Sequence, residues 1–163
     1  MKPGDHPEFF RFPAPEGRSR ESTIELDEEG RFHDAGSVVE HRRLEKAMHT
    51  WISRHPDDGR YILTNGYDWT YFTVKGTPYA VTAVRDEGGK PVLVLDDETE
   101  EPLDPHAVRT EGEHLLVRVK AGAQGGPYDA RFARHGRTDL APWLALDGES
   151  PVLRVGDVSV SLE

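Results

Sequence analysis

The stretch that decides the fold is HRRLEKAMHTWISRH, residues 41–55. Leu44, Met48 and Trp51 follow one another at helical spacing, which places them on one stripe of a helix. A proline comes directly after this stretch, and the residue before a proline disfavours the α region. The pattern therefore predicts a main helix over about residues 41–54, whose apolar stripe packs against a sheet.

Short strands follow this helix in quick succession. The turn signals between them are Asn65-Gly66, Lys75–Pro78 and Asp86–Gly89. Such short links join antiparallel neighbours, because parallel pairs need long crossovers. Residues 22–34 and 151–162 have the alternation and central turn of further hairpins. The sequence therefore predicts an α+β fold with a mostly antiparallel sheet.

A second, short helix is predicted at about residues 138–146, with Thr138 as its cap and Pro142 within its first turn. Each half then contains a hairpin, a helix and further strands, which predicts a two-part structural repeat. The predicted divisions are an extended arm at residues 1–21, an α+β subdomain at 22–95 and a second α+β subdomain at 96–163.

The amino-terminal arm combines prolines with three aromatic residues. Its prolines exclude a helix or a central strand, whereas Phe9, Phe10 and Phe12 break its polarity. Two interpretations follow. The aromatic side chains dock onto the body of the protein, or the arm binds a partner.

Composition excludes several classes of function. The chain has 163 residues, no cysteine and a formal net charge of -10. Disulfides and thiolate chemistry are thus excluded, and the negative field opposes binding to nucleic acid or anionic lipid. No run of about 18 apolar residues is present, so no membrane span is predicted. Since the amino terminus lacks the apolar core of a signal peptide, we expect a soluble, cytoplasmic protein.

A set of segments in the first half carries a common pattern. It consists of Ile24–Asp27, Gly30–Phe32, the helix with Leu44 and Trp51, Arg60–Leu63, and Phe72–Tyr79. These segments resemble a bacterial family named domain of unknown function 1285. The resemblance extends from residue 22 to the end and is clearest up to residue 85. It implies a two-part α+β fold with a repeated motif and a role in ligand sensing or signalling, and it brings no catalytic or binding residues.

The densest aromatic cluster begins at Tyr67. Alternation along a strand sends Trp69 and Tyr71 to one face, where they would line a pocket or an interface. Arg60 and Asp68 flank the same hairpin, where they either orient a polar ligand or satisfy backbone groups of the loops. These five residues are the predicted ligand-binding site. The alternative is a two-sided sheet whose aromatic face is covered by the arm or by the second half of the chain.

Three polar side chains of the main helix are spaced for metal binding. His41, Glu45 and His49 lie four residues apart, and His55 or Asp57 would complete a zinc or iron site. The spacing is not that of a metalloprotease helix, and histidines at the edge of a buried face are common. We therefore assign no metal site and no cofactor, and keep a metal-dependent enzyme on this helix as an alternative.

No catalytic residue is assigned, since no nucleophile elbow is present and the glycine-rich loop 121–127 does not lead into a helix. The acidic run 96–101 is interpreted as a solvated hairpin tip. The prediction is a non-enzymatic regulatory or ligand-sensing module, whose partner is a small molecule or a protein. The alternative is a scaffold protein that uses the arm. Edge strands favour a homodimer.

Overall fold

The structure, a computed structural model, describes all residues from 1 to 163. The chain divides into two compact units: unit 1 comprises residues 1–78 and 122–126, and unit 2 comprises residues 79–121 and 127–163. The predicted boundary after residue 95 lies later than this division, because the strand that begins at Tyr79 pairs with strands of unit 2.

Unit 1 contains one α-helix and seven strands. They are β1 (Ile24–Leu26), β2 (Phe32–Asp34), β3 (Ser37–Val38), α1 (Arg42–Thr50), β4 (Ile52–Arg54), β5 (Tyr61–Thr64), β6 (Trp69–Tyr71) and β7 (Thr73–Val74). One sheet has the order β3-β2-β1-β7, and the other has the order β4-β5-β6. All neighbours are antiparallel except β1 and β7. The predicted α+β class with mostly antiparallel sheets is confirmed.

The first predicted hairpin is confirmed as β1 and β2, which pair with Leu26 opposite Phe32. Asp27 shapes the turn, since its Oδ1 accepts hydrogen bonds from two backbone N–H groups of the turn, each at 2.9 Å. Leu26 and Phe32 are fully buried. The ring of Phe32 lies against His49 of α1, with 4.9 Å between the ring centroids. This hairpin therefore supplies part of the core on which α1 lies.

Helix α1 ends earlier than the predicted range 41–54. His41 caps its start, because Nδ1 of its side chain accepts the N–H of Leu44 at 3.1 Å. Trp51 is the C-cap, and the β-branched Ile52 begins strand β4, which pairs with β5. The ladder hydrogen bonds of that pair replace the helical ones, so the helical periodicity gives way to sheet pairing.

Strand β7 departs from the expectation that neighbouring strands are antiparallel. Phe72 is buried and separates β6 from β7. After this residue the chain leaves the β5–β6 hairpin and runs parallel to β1. A parallel pair needs a long connection, and residues 27–72 provide it.

Unit 2 contains nine strands and one α-helix. They are β8 (Tyr79–Glu87), β9 (Lys90–Leu95), β10 (Glu100–Pro102), β11 (Val108–Glu111), β12 (His114–Val119), β13 (Tyr128–Phe132), α2 (Arg134–Leu140), β14 (Leu144–Asp147), β15 (Ser150–Val155) and β16 (Val158–Ser161). The sheet orders are β10-β9-β8-β13-β12-β11 and β14-β15-β16, with β8 and β13 parallel. These orders differ from those of unit 1, and the two-part repeat stays a prediction. Neither α-helix is long and apolar enough to cross a bilayer.

The second helix begins and ends earlier than the predicted range 138–146. Thr138, the predicted cap, lies inside α2, where its hydroxyl donates to the C=O of Arg134 at 3.1 Å. Pro142 lies in a 3-10 turn after the helix, because a proline lacks the N–H that would continue α-helical bonding. The chain then enters β14, whose partner β15 lies beyond a tight turn.

We expect Gly136→Ala to destabilise unit 2. A Cβ at Gly136 would lie 2.3 Å from the C=O oxygen of Val81 in β8. Because this oxygen belongs to the backbone of β8, the clash can be relieved only by moving α2 away from that strand. The expected loss in the free energy of unfolding is about 1–3 kcal/mol or more, measured by urea denaturation of the full chain. Gly122→Ala is the control, since no atom lies within 4 Å of its Cβ position. Equal losses in the two variants would contradict the close approach of α2 and β8.

Candidate functional site

The predicted binding residues lie on or beside the hairpin of β5 and β6 in unit 1. Asn65 closes the turn, because its Oδ1 accepts the N–H of Tyr67 at 2.9 Å and the N–H of Asp68 at 3.0 Å. Strand β6 then sends Trp69 and Tyr71 to one face, with 5.1 Å between their ring centroids. The turn and the strand alternation together position the aromatic pair.

The amino-terminal arm, residues 1–21, covers this aromatic face. Phe9 is 4% exposed and forms a buried cluster with Ile62 and with Trp69, which is 7% exposed. Phe10 packs against the same cluster. On this side of the sheet, Trp69 therefore contributes to the core of unit 1 rather than to an open pocket.

Arg20 fastens the end of the arm to the hairpin. Its Nη1 donates to Oδ1 of Asp68 and, at 2.9 Å, to the C=O of Trp69. Its guanidinium carbon lies 4.5 Å from the centroid of the Trp69 ring, and Nη2 reaches the C=O of Pro13 at 3.2 Å. Burial opposes the ionisation of Asp68, but Arg20 and the N–H of Trp69 hold the pKa of this carboxyl below its usual value.

A second group of contacts fixes Arg60 and Tyr71. Nη1 and Nη2 of Arg60 each donate to the carboxylate of Glu21 at 2.8 Å, and the guanidinium carbon lies 3.7 Å from the centroid of the Tyr71 ring. The hydroxyl of Tyr71 donates to Oδ2 of Asp58 at 2.6 Å. Burial, together with this hydrogen bond, raises the pKa of Tyr71 to about 12. Groups of the chain itself thus occupy the polar contacts predicted for a ligand.

Tyr67 is placed differently from the other predicted binding residues. It lies near the tip of the hairpin, is 63% exposed, and has Nζ of Lys2 at 5.7 Å from its ring centroid. The structure therefore separates Tyr67 from the other four predicted binding residues. The others form two neighbouring sets at the arm, namely Asp68 with Trp69 and Arg60 with Tyr71.

An open concave site of unit 1 lies beside α1. This site, which we call the α1 groove, has a volume of about 280 Å³. Its lining comprises the apolar Ile24, Val39, Leu44, Met48, Trp51, Leu63 and Trp69 and the polar Asp34, Asn65, Asp68 and Thr70. Sequence reasoning placed Asp68 and Trp69 in a site but missed the α1 groove itself.

The predicted stripe of α1 forms one wall of the α1 groove. Met48 is 4% exposed, Trp51 is half-buried, and Leu44 is 43% exposed. The stripe therefore packs at its carboxyl-terminal end and lies open at its amino-terminal end. Helical spacing predicts a continuous stripe, but it carries no signal for where the sheets beneath it end.

Asp34 and Asp68 bring two carboxylates to the α1 groove. Asp68 is paired with Arg20. Asp34 accepts the hydroxyl hydrogen of Thr23 at 2.6 Å and forms no ion pair. Asp34 therefore presents a negative charge, in a chain that is already strongly acidic, to any ligand beside the apolar wall.

The metal-ligand candidates of α1, and the two residues predicted to complete their site, are all engaged in other contacts. His41 caps the helix, and Oε1 of Glu45 lies 2.8 Å from Nε2 of His49. His55 bonds through Nε2 to the C=O of Phe10 at 2.9 Å, while Asp57 pairs with Arg11 of the arm at 2.8 Å. No group of three or more histidine, aspartate or glutamate side chains is arranged to hold a metal ion.

Comparisons with known proteins identify the fold. No protein-family model matches the sequence, and no curated protein matches it. A crystal structure of a domain of unknown function 1285 family protein from Silicibacter pomeroyi DSS-3 is 12% identical, with a TM-score of 0.67 over 94% of this chain and 91% of that one. A protein of the same family from Shewanella baltica OS155 is 11% identical, with a TM-score of 0.55 over 71% and 87% of the two chains. The chain shares their fold, which confirms at that level the resemblance carried by its sequence.

We expect Phe9→Ala to lower the free energy of unfolding by about 3–5 kcal/mol, because it removes a buried ring from the cluster with Trp69. Phe12→Ala is the matched control, since Phe12 belongs to the same arm but is 47% exposed. Its expected effect is below about 0.5 kcal/mol. Urea denaturation measures both. Two equally small losses would contradict a docked arm and favour one that is free to bind a partner.

We expect Tyr71 to contribute to the alkaline loss of stability. Its pKa is raised from 10.0 to about 12 in the folded chain. The unfolded phenol therefore ionises first, so the free energy of unfolding falls as the pH rises from about 10 to about 12. Tyr71→Phe should show a shallower decline over this range in urea denaturation at successive pH values. An equally steep decline would assign the effect to other groups.

Proposed function

We propose that this protein is a regulatory, ligand-sensing module. Its ligand is a small organic cation, an ammonium group attached to an apolar group, that binds in the α1 groove of unit 1. One observation carries the proposal. Asp68 and Trp69 line the α1 groove, and the same two residues hold the arm through Arg20. A ligand in the α1 groove therefore meets the residues that fasten the arm.

The lining of the α1 groove supports the chemical class of the ligand. The volume of about 280 Å³ is close to the lower limit of small-ligand pockets, roughly 300 Å³. Leu44, Met48 and Trp51 suit an aromatic or branched aliphatic group. Asp34, which lacks an ion-pair partner, suits an ammonium group that donates a hydrogen bond.

The docked state of the arm leaves two donors unsatisfied, one in the arm and one in β6, and this lowers the free energy needed to release the arm. Nε of Arg20 and Nε1 of Trp69 are buried without a hydrogen-bond acceptor. Each buried donor of this kind destabilises a structure by about 1–3 kcal/mol. A ligand that displaces Asp68 weakens the hold on Arg20, and release of the arm lets both donors reach water. The arm is the output of the proposed sensor.

A protein-binding role of the arm stays a second proposal and is compatible with the first. Phe9 is buried while the arm is docked, so a partner gains access to it only after release. Ligand binding and partner binding are then coupled through one equilibrium. The coupling must be reciprocal, so the partner would tighten ligand binding by the same factor.

We expect 2-phenylethylammonium to bind the full chain about tenfold more tightly than its neutral analogue 2-phenylethanol, because only the ammonium pairs with Asp34. Isothermal titration calorimetry measures both. Leu44→Arg should weaken binding of the ammonium probe by about tenfold or more, since the new guanidinium enters the α1 groove and repels a cation. Val38→Arg is the matched control, because Val38 is also 43% exposed but does not line the α1 groove.

The outcome that would contradict the site is binding of neither probe, or an equal loss in Leu44→Arg and Val38→Arg. The sensing step has a separate readout, which is tryptic cleavage after Arg18 in the arm. Saturating ammonium probe should accelerate this cleavage in the unmodified chain. Binding without acceleration would leave a ligand site but contradict release of the arm as its output.

A further inference from the structure

The three-stranded sheet of unit 2 ends in a strand whose outer edge is open. Strand β14 is an edge strand, and Asp147 pairs with Ser150 across a two-residue turn. These two residues occupy the hydrogen-bonded position of the hairpin, so alternation points the N–H and C=O of Leu146 and the C=O of Leu144 away from β15. None of these three groups takes part in a hydrogen bond in the structure.

The open edge is also apolar. Leu144 is 38% exposed and Leu146 is 65% exposed. Together with Pro151 and Leu162 they line a cavity of about 650 Å³ in unit 2, which Arg137 of α2 also lines. Edge strands are usually protected by lysine, proline or a bulge, and β14 has none of these. An unprotected edge beside exposed leucines has the character of an interaction surface.

Groups of opposite charge flank this edge. The turn after β14 carries Asp147 and Glu149, and the helix before it carries Arg134 and Arg137. None of these four side chains forms an ion pair, and Arg137 makes only a 3.4 Å contact with the C=O of Glu113. A surface with acid on one side and base on the other is complementary to a copy of itself turned by 180°.

We propose that a second copy of this chain pairs antiparallel with the edge of β14, about a twofold axis beside Ala145. This register places Leu146 opposite Leu144 of the partner, so that the free N–H of Leu146 in each copy donates to the free C=O of Leu144 in the other. The N–H of Leu144 already donates to the C=O of Ala141 in its own chain, so two hydrogen bonds join the two edges. Ala145 faces itself at the non-hydrogen-bonded position, where the Cα atoms approach to about 4.5 Å and the small side chain of alanine fits without a clash. The two three-stranded sheets become one sheet of six strands.

The same symmetry brings the charges together. The acidic turn of each copy lies beside the segment that follows α2 in the other copy, and so points toward the partner's Arg137. A foreign extended peptide could pair with the free N–H and C=O groups, but it would need its own acid and base in matching order. A second copy carries both because both lie on this chain.

The expected dimer is weak, because the pairing surface is one short strand with its flanking charges. We expect a dissociation constant of about 1–100 μM. Sedimentation velocity of the full chain from about 1 μM to about 1 mM should therefore show a monomer converting to a dimer.

Leu146→Lys tests the edge. It places a charged side chain on an exposed position of β14, so the dissociation constant should rise by about tenfold or more while the melting temperature stays unchanged. Val38→Lys is the matched control, because it introduces the same charge at an exposed apolar residue of unit 1. This control should dimerise like the unmodified chain.

Charge reversal tests the register. Arg137→Glu should raise the dissociation constant by about tenfold, and combining it with Asp147→Arg and Glu149→Arg should restore dimerisation. Arg154→Glu reverses another exposed arginine of unit 2 and should have no such effect. The proposal is overturned by a chain that stays monomeric at every concentration, by a dimer that Leu146→Lys leaves intact, or by failure of the triple variant to restore it. A monomer that instead binds an extended apolar peptide assigns the edge to another partner and also overturns it.

Discussion

The contact of Arg20 with the segment Asp68–Trp69 is the constraint on which unit 1 depends. The side chain of Arg20 satisfies a carboxylate and a backbone C=O and lies over the indole ring. Its own C=O accepts the N–H of Tyr71 at 2.7 Å, so the main chain of the arm also covers the open edge of β6. A lysine could not replace this fork of donors, because its point charge makes no planar, multiple contact. One residue thus closes both the face and the edge of a small sheet.

The fold was predictable where local chemistry determines it. Leu26 and Phe32 alternate on either side of a turn that Asp27 shapes, and both signals lie within one short segment. The existence of α1 followed from helical spacing, but its end did not. Ile52 continues the helical pattern and yet belongs to a strand, because its pairing with β5 depends on residues beyond the next turn. Nonlocal pairing overrides local periodicity in this case.

The candidate site was predictable only in part, for the same reason. Alternation placed Trp69 and Tyr71 on one face, but it could not choose between the arm and the second half as the cover. Leu44 and Met48 share one helical phase and still differ tenfold in exposure, since that difference depends on where the sheets end. The acidic run 96–101 was interpreted as a solvated hairpin tip, but one of its carboxylates is buried. The side chain of Asp97 is 4% exposed and lies 2.7 Å from Nζ of Lys120, a partner that sequence spacing could not reveal.

Charge links these observations to function. The chain has 30 acidic and 20 basic residues, so many carboxylates must lack a basic partner. Three carboxylates take part in the contacts that hold the arm, and each is paired with an arginine: Glu21 of the arm, and Asp57 and Asp68 of the hairpin region. Asp34 is not, and it is an exposed residue that lines the α1 groove beside the apolar wall. A cation beside Asp34 therefore meets a carboxylate that no arginine or lysine of the chain neutralises. The proposed preference of the α1 groove for a cation therefore rests on this carboxylate, in a chain whose excess of acid also opposes nucleic acid binding.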